Sequence, residues 1–100
     1  MFEIIDVTGD EVYFTLAVYS DYKTANEELD KRLKPDCAIT ESAEYEDYEK
    51  IQIRHRPIGW GSSYKIAFEI ERFKRYNDVS DEYQWETIPL QFNASLILGL

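Results

Sequence analysis

The sequence predicts an α+β domain of two layers, in which one amphipathic helix packs on a mainly antiparallel sheet of four to five strands. Three observations predict it. One segment has apolar residues at helical spacing, several others alternate in polarity or are rich in β-branched and aromatic residues, and their order is β-β-α-β-β-β. We expect residues 1–100 to form a single α+β domain, because a chain of this length buries one modest core.

The first two strands are predicted to form a hairpin. The segments FEIIDV and EVYFTLAVY flank the turn TGD, where a glycine permits the positive φ of a tight turn. One face of the second segment would carry Val12, Phe14, Leu16 and Val18. Since neither of its faces is charged, we expect this strand inside the sheet rather than at an edge.

The helix is predicted over about residues 21–34. Ser20 or Asp21 can cap its N-terminus, and Pro35 ends it. Four apolar residues recur at helical spacing and should face the sheet: Tyr22, Ala25, Leu29 and Leu33.

Residues 36–49 are predicted to form an acidic loop that becomes a strand near Tyr48. The segment contains six acids and no base. It lacks the glycine-punctuated ligand loop of a calcium site, so we expect a solvated acidic surface and no bound metal.

Two alternating segments, YEKIQIRHR and SYKIAFEIERFKRY, are predicted to form a second hairpin. Matching their polar faces places Lys50 opposite Glu69 or Glu71. The same match crowds three cations near the turn end: Arg54, Arg56 and Lys65. Such crowding is mildly unfavourable, which would be explained by a negatively charged partner or by simple solvation.

The connection RHRPIGWGSSYK places Trp60 between two glycines, so that its indole either folds over the hairpin end or projects from it.

After the turn NDVSDE, the segment YQWETIPLQF predicts a last strand that Pro89 confines to an edge or ends. The tail NASLILGL is apolar, and we expect it to pack on the sheet or on another copy of the chain.

The predicted core joins the helix stripe to a sheet face carrying Phe14, Leu16, Ile51, Ile53, Ile66 and Phe68. One helix cannot cover both faces of the sheet. The uncovered face would carry Tyr13, Tyr19, Arg54, Arg56 and Lys65.

Charge is distributed unevenly along the chain. The net charge is −9, with fourteen acids and four bases in residues 1–49, seven bases and two acids in residues 50–75, and four acids and no base thereafter. The overall charge disfavours general binding to nucleic acid or to an anionic membrane.

Several classes of protein are disfavoured by composition. Cys37 is the single cysteine, so the chain has no internal disulfide and no two-cysteine metal spacing. The N-terminus lacks the pattern of a signal peptide, and no apolar run is long enough to cross a bilayer. We therefore expect a soluble, cytoplasmic protein.

Catalysis is not predicted. His55 is the only histidine, and it follows Ile51 and Ile53 in the alternation, so we expect a structural role. The serines of GWGSS do not form the nucleophile turn of hydrolases. No cofactor is expected.

The leading hypothesis is a small acidic, non-enzymatic regulator or inhibitor that binds another protein. The expected contact residues are Trp60, Arg54, Arg56, Lys65, Glu41, Glu44, Glu46, Asp47 and Glu49. A sharper form is that the acidic surface imitates nucleic-acid phosphate and blocks a basic nucleic-acid-binding protein, as small phage-encoded anti-defence proteins can do. A homodimer through the sheet or the C-terminal tail is a further expectation.

Two alternatives remain open. The basic hairpin of residues 50–75 mixes cations with aromatic rings, which is typical of nucleic-acid-binding surfaces. The other alternative is a small-ligand-binding protein or enzyme with a pocket near His55.

Overall fold

The computed structural model describes residues 1–9, 13–40, 43–57, 59, 61 and 63–95, with the backbone alone for residues 44 and 45. Its elements are β1 (Phe2–Asp6), β2 (Phe14–Tyr19), α1 (Tyr22–Arg32), α2 (Ala43–Glu46), β3 (Tyr48–His55), β4 (Lys65–Asn77) and β5 (Glu82–Phe92). The predicted order β-β-α-β-β-β is confirmed. The short helix α2 within the acidic segment was not predicted.

The five strands form one antiparallel sheet in the order β2-β1-β3-β4-β5, with α1 packed on one of its faces. This arrangement confirms the predicted α+β two-layer fold. Both predicted hairpins are present, since β1 pairs with β2 and β3 with β4. Lys50 lies opposite Glu71, as predicted, and its Nζ is 3.8 Å from a carboxylate oxygen of Glu69.

The helix α1 begins where its sequence predicts. Asp21 is the N-cap, and its carboxylate accepts a hydrogen bond of 2.8 Å from the backbone N–H of Thr24. This hydrogen bond holds the pKa of Asp21 below its usual value. The helix ends at Arg32, slightly before the predicted boundary, because Pro35 disfavours helical geometry in the residue before it.

The prediction that β2 lies inside the sheet is wrong. β2 is an edge strand, because β1 pairs with β2 on one side and with β3 on the other. An uncharged strand can occupy either position, and the long-range pairing of β1 with β3 decides between them. β5 forms the opposite edge, as Pro89 predicted.

The core lies between α1 and the sheet. Its buried residues are Phe2, Ile4, Ala25, Leu29, Ile51, Ile53, Ala67 and Ile70, and Leu16, Ala17, Tyr19, Tyr22, Leu33, Ile39 and Phe68 pack against them. The predicted helix stripe is therefore confirmed. Among the described residues, no helix is long and apolar enough to cross a membrane.

Two bulges change which side chains reach this core. The pairing skips Leu16 in β2 and Ala67 in β4. Because side chains alternate along a strand, one extra residue moves those beyond it to the other face. Ile66, predicted in the core, therefore pairs with Arg54 on the opposite face. Tyr19, predicted on that opposite face, packs against the core instead.

Phe14 was also predicted in the core, and this prediction is wrong. It pairs with Asp6 at the end of β1, and its side chain is exposed.

Candidate functional site

The sheet face that α1 does not cover, here called the open face, carries a network of polar side chains from three neighbouring strands. The Gln52 amide on β3 donates to Glu69 on β4, which also accepts from Gln91 on β5 at 3.1 Å. The Lys50 ammonium lies 3.8 Å from the same Glu69 oxygen that accepts from Gln52. Gln52 and Glu69 are buried although α1 lies on the other face, because their neighbours enclose them.

Arg54 lies at the end of this network and is buried, with 6% of the residue exposed. Its guanidinium carbon is 4.8 Å from the centre of the Tyr13 ring and 4.0 Å from that of Tyr64. Its Nε donates a 2.8 Å hydrogen bond to the side-chain oxygen of Gln52. The expectation of a solvent-exposed arginine was therefore wrong for this residue, because two tyrosine rings stack on the guanidinium.

A cavity of about 280 Å³ lies beside Arg54 on the open face. It is lined by Val7, Thr8, Gly9, Tyr13, Tyr48, Lys50, Gln52, Arg54 and Tyr64. Two cationic side chains, an amide and several phenol groups therefore meet in one concavity. Such a set of groups can bind an anion and surround it with aromatic walls.

The structure does not bring the three cations of the turn end into one exposed patch. Arg56 is 3.4 Å from the carboxylate of Glu3, which offsets its charge. Lys65 is exposed, but it pairs across the strands with His55, which places it on the face opposite Arg54. The bulge at Ala67 causes this separation.

Among the described residues, the predicted acidic surface is only partly present. Glu46 and Asp47 are exposed at the end of α2, as expected. Glu49 is fully buried, which corrects its place in that surface. Its carboxylate lies 2.6 Å from the guanidinium of Arg72, whose side chain is equally buried. Glu49 alternates with Ile51 along β3 and so points into the helix-covered face.

Some predicted contact residues cannot be placed. Trp60 and Glu41 lie outside the described residues, as does the apolar tail beyond residue 95, and the side chain of Glu44 is not described. Their predicted roles stay predictions.

The basic hairpin of residues 50–75 presents fewer unpaired cationic side chains than its sequence indicates. Arg72 is buried against Glu49, and Lys50 and Arg56 each have an acidic neighbour. Arg75 lies 3.5 Å from Glu86 on the surface. These pairings reduce the positive potential that a nucleic-acid backbone requires.

His55 lies on the helix-covered side of the sheet. Its ring stacks on that of Phe2 with 4.5 Å between centres. Partial burial lowers the pKa of His55 below its usual value, and the positive charges of the N-terminus and Lys65 act in the same direction. His55 does not line the cavity on the open face.

Metal ligation has no candidate within the described part of the chain, where no three His, Cys, Asp or Glu side chains form a group that could hold an ion. Cys37 is exposed and carries no disulfide.

The predicted alternation of YEKIQIRHR places Lys50, Gln52 and Arg54 on one face of β3, but it did not reveal the cavity beside them. The signal available was the pair of tyrosines, Tyr13 just before β2 and Tyr64 just before β4. No protein-family model, curated protein or solved structure matches this chain. Its function is therefore argued from its own described residues, which offer the open-face cavity and the outer edge of β2.

Proposed function

We propose that this protein is a non-enzymatic regulator or inhibitor that binds another protein, and that the partner adds a strand to the outer edge of β2. The observation that carries the proposal is the position of β2 at the sheet edge without a charged residue or a proline. Soluble proteins usually protect edge strands with charge, proline, bulges or a covering segment. In the described part of the chain, β2 has the bulge at Leu16 and no other such protection.

The opposite edge supports the proposal by contrast. β5 contains Glu82, Glu86 and Pro89, and its pairing with β4 skips Leu90. Each of these features opposes the addition of another strand. The two edges of one sheet therefore differ in protection, and β2 is the edge suited to pairing.

Exposed apolar side chains accompany the β2 edge. Phe14 is 57% exposed and Val18 is 50% exposed. In strand addition, main-chain hydrogen bonds supply affinity and alternate side chains supply specificity. A partner strand with small apolar side chains would cover these groups.

The charge of the chain indicates the kind of partner. A net charge of −9 favours a basic protein, because complementary charge speeds association and disfavours acidic competitors. A finer form of the proposal is that the acids imitate nucleic-acid phosphate in the manner of phage anti-defence proteins. It rests on charge, with Glu46 and Asp47 as its exposed described residues. We also propose a cytoplasmic location, which the single free cysteine supports.

The test uses one charged substitution at each edge. Val18→Lys places a charge beside the β2 edge, and Leu90→Lys is its matched control at the β5 edge. Wild type and both variants are used as bait in an extract of the source cells, after circular dichroism has shown equal folding. We expect the same partner with wild type and Leu90→Lys, and at least a tenfold loss with Val18→Lys.

Equal recovery of the partner by Val18→Lys and wild type would contradict binding through β2. Trp60→Ala and a variant neutralised at Glu41, Glu44, Glu46 and Asp47, which leaves the buried Glu49 unchanged, test the other predicted surfaces. Sedimentation of the pure proteins tests self-association. A wild-type dimer that Val18→Lys abolishes would show that the edge serves a second copy of the chain, and would also contradict the proposal.

A further inference from the structure

We propose that the open-face cavity is a binding site for a small phosphorylated molecule, with the Arg54 guanidinium as the main phosphate ligand. The site lies on the face of the sheet, apart from the outer edge of β2 on which the proposed function rests. Each proposal can therefore fail without the other.

The first argument is the charge of Arg54. Arginine remains protonated in proteins, and a buried cation is costly unless an anion and hydrogen bonds compensate it. Arg54 is 94% buried, since 6% of it is exposed. Its Cα partner across the strands is Glu3, but the carboxylate of Glu3 lies against Arg56. Within the described part of the chain, no carboxylate forms a salt bridge with Arg54.

The second argument is the free donor capacity of the guanidinium. Arg54 has five N–H donors, of which Nε–H is used by Gln52. Among the described residues, no hydrogen bond involves its terminal nitrogens Nη1 and Nη2. Planar pairs of N–H groups are the arrangement that binds phosphate and carboxylate oxygens most strongly.

The third argument is that the guanidinium is held in place before any ligand arrives. The rings of Tyr13 and Tyr64 lie against it, and Gln52 accepts from its Nε. Glu69 in turn holds the Gln52 amide. These contacts reduce the conformational entropy that binding would otherwise cost. Arg54 is therefore a preorganised anion ligand.

The cavity itself favours a dianion of modest size. Lys50 supplies a second cation to its lining, and the Lys50 side chain is 34% exposed. A phosphate monoester near neutral pH carries a charge close to −2. Arg54 would bind it directly, with Lys50, which also has Glu69 at 3.8 Å, as a weaker second cation. The volume of about 280 Å³ lies just below the usual range of small-molecule sites. It can hold a phosphate with a small organic group, and the tyrosines supply apolar walls.

The experiment is a titration with inorganic phosphate at constant ionic strength, followed by NMR chemical shifts and by the melting temperature. We expect saturable shifts at the Arg54 Nε–H and at the cavity tyrosines in the wild-type protein. Arg54→Gln should weaken phosphate binding by about 10- to 100-fold, because a charge-assisted hydrogen-bond pair is lost. Lys50→Gln should weaken it less.

The matched control is Arg75→Gln, which removes an exposed arginine of β4 outside the cavity. Its phosphate affinity should equal that of wild type. Because loss of Arg54 can destabilise the fold, the wild-type NMR titration stands as an independent readout. The absence of saturable shifts in wild type would overturn the proposal, and so would equal affinities of wild type and Arg54→Gln.

Two further experiments test whether the cavity binds a carboxylate in place of phosphate. Sodium acetate tests a carboxylate, and equal affinity for acetate and phosphate would overturn the assignment to phosphate. Asp10→Asn combined with Glu11→Gln removes two acids that lie outside the described residues. They follow the cavity residue Gly9 in the sequence. Phosphate binding in this double variant but not in wild type would overturn the proposal, because a carboxylate of the chain would then occupy the site.

Discussion

Two fully buried charged residues, Glu49 and Arg72, hold the segment after α1 against the sheet. The carboxylate of Glu49 accepts hydrogen bonds from the backbone N–H groups of Ile39 and Thr40 as well as from Arg72. The Arg72 guanidinium donates to the backbone oxygens of Lys34 and Cys37 and to the Thr87 hydroxyl. Each charge is therefore satisfied at several atoms, which a buried ion pair requires.

The ion pair gives the first prediction at this scale. Glu49→Gln should lower the free energy of unfolding by about 3–5 kcal/mol, because Arg72 is left as an uncompensated buried charge. Urea unfolding followed by circular dichroism measures the change.

The matched control is Glu86→Gln, which breaks the surface pair with Arg75, where both side chains are more than half exposed. An exposed pair contributes about 0–1 kcal/mol, so this variant should be nearly neutral. A cost for Glu49→Gln no larger than that of Glu86→Gln would contradict the assigned role of the pair.

At the scale of elements, α1 is the only long helix among the described residues, and it packs on the β1–β2 side of the sheet. It has a capped start and an apolar stripe, but eleven residues are too few for a stable isolated helix. Its stability therefore comes from burial, mainly through Leu29 and Ala25.

Leu29→Ala should therefore lower the free energy of unfolding by about 2–5 kcal/mol, the usual cost of a cavity at a fully buried leucine. The matched control is Leu90→Ala at the β5 edge, where the leucine is exposed. A surface truncation of this kind should change stability by about 0.5 kcal/mol or less. Equal urea midpoints for the two variants would show that burial of Leu29 does not stabilise the packing of α1 on the sheet.

At the scale of the whole molecule, the described residues form an elongated shape of 49 × 28 × 18 Å. The radius of gyration of 14.4 Å exceeds the roughly 13 Å of a compact domain of this length. The reason is that β4 and β5 are 13 and 11 residues long, whereas the helix layer is short. Their hairpin end carries exposed Tyr76, Val79 and Tyr83.

The net charge gives a prediction for the molecule as a whole. A charge of −9 produces repulsion that disfavours the compact state, and salt screens this repulsion. Raising NaCl from about 10 to 200 mM should therefore stabilise the fold by on the order of 1 kcal/mol, or about 4–8 °C in melting temperature. KCl should act equally, which distinguishes screening from binding of a particular cation. A melting temperature that falls with added salt would indicate that surface ion pairs outweigh the repulsion.

Local patterns were sufficient to predict the types and order of the main elements. The cap at Asp21, the stripe through Leu29 and the stop at Pro35 concern neighbouring residues, and the helix follows from them. The hairpin of β3 and β4 follows from alternation, as does the pairing of Lys50 with Glu69 and Glu71. Periodicity of 2 or 3.6 is a property of the backbone, so a single segment reveals it.

The tertiary structure alone decided which strand is an edge and which side chains are enclosed. The bulges at Leu16 and Ala67 reverse the faces of β2 and β4, and no local pattern marks them. Glu49 is buried only because Arg72, 23 positions later, lies opposite it. Arg54 is enclosed only because two tyrosines from other segments reach it. Each outcome depends on pairing between residues that are distant in the chain, and such pairing is set by the packing of the whole sheet.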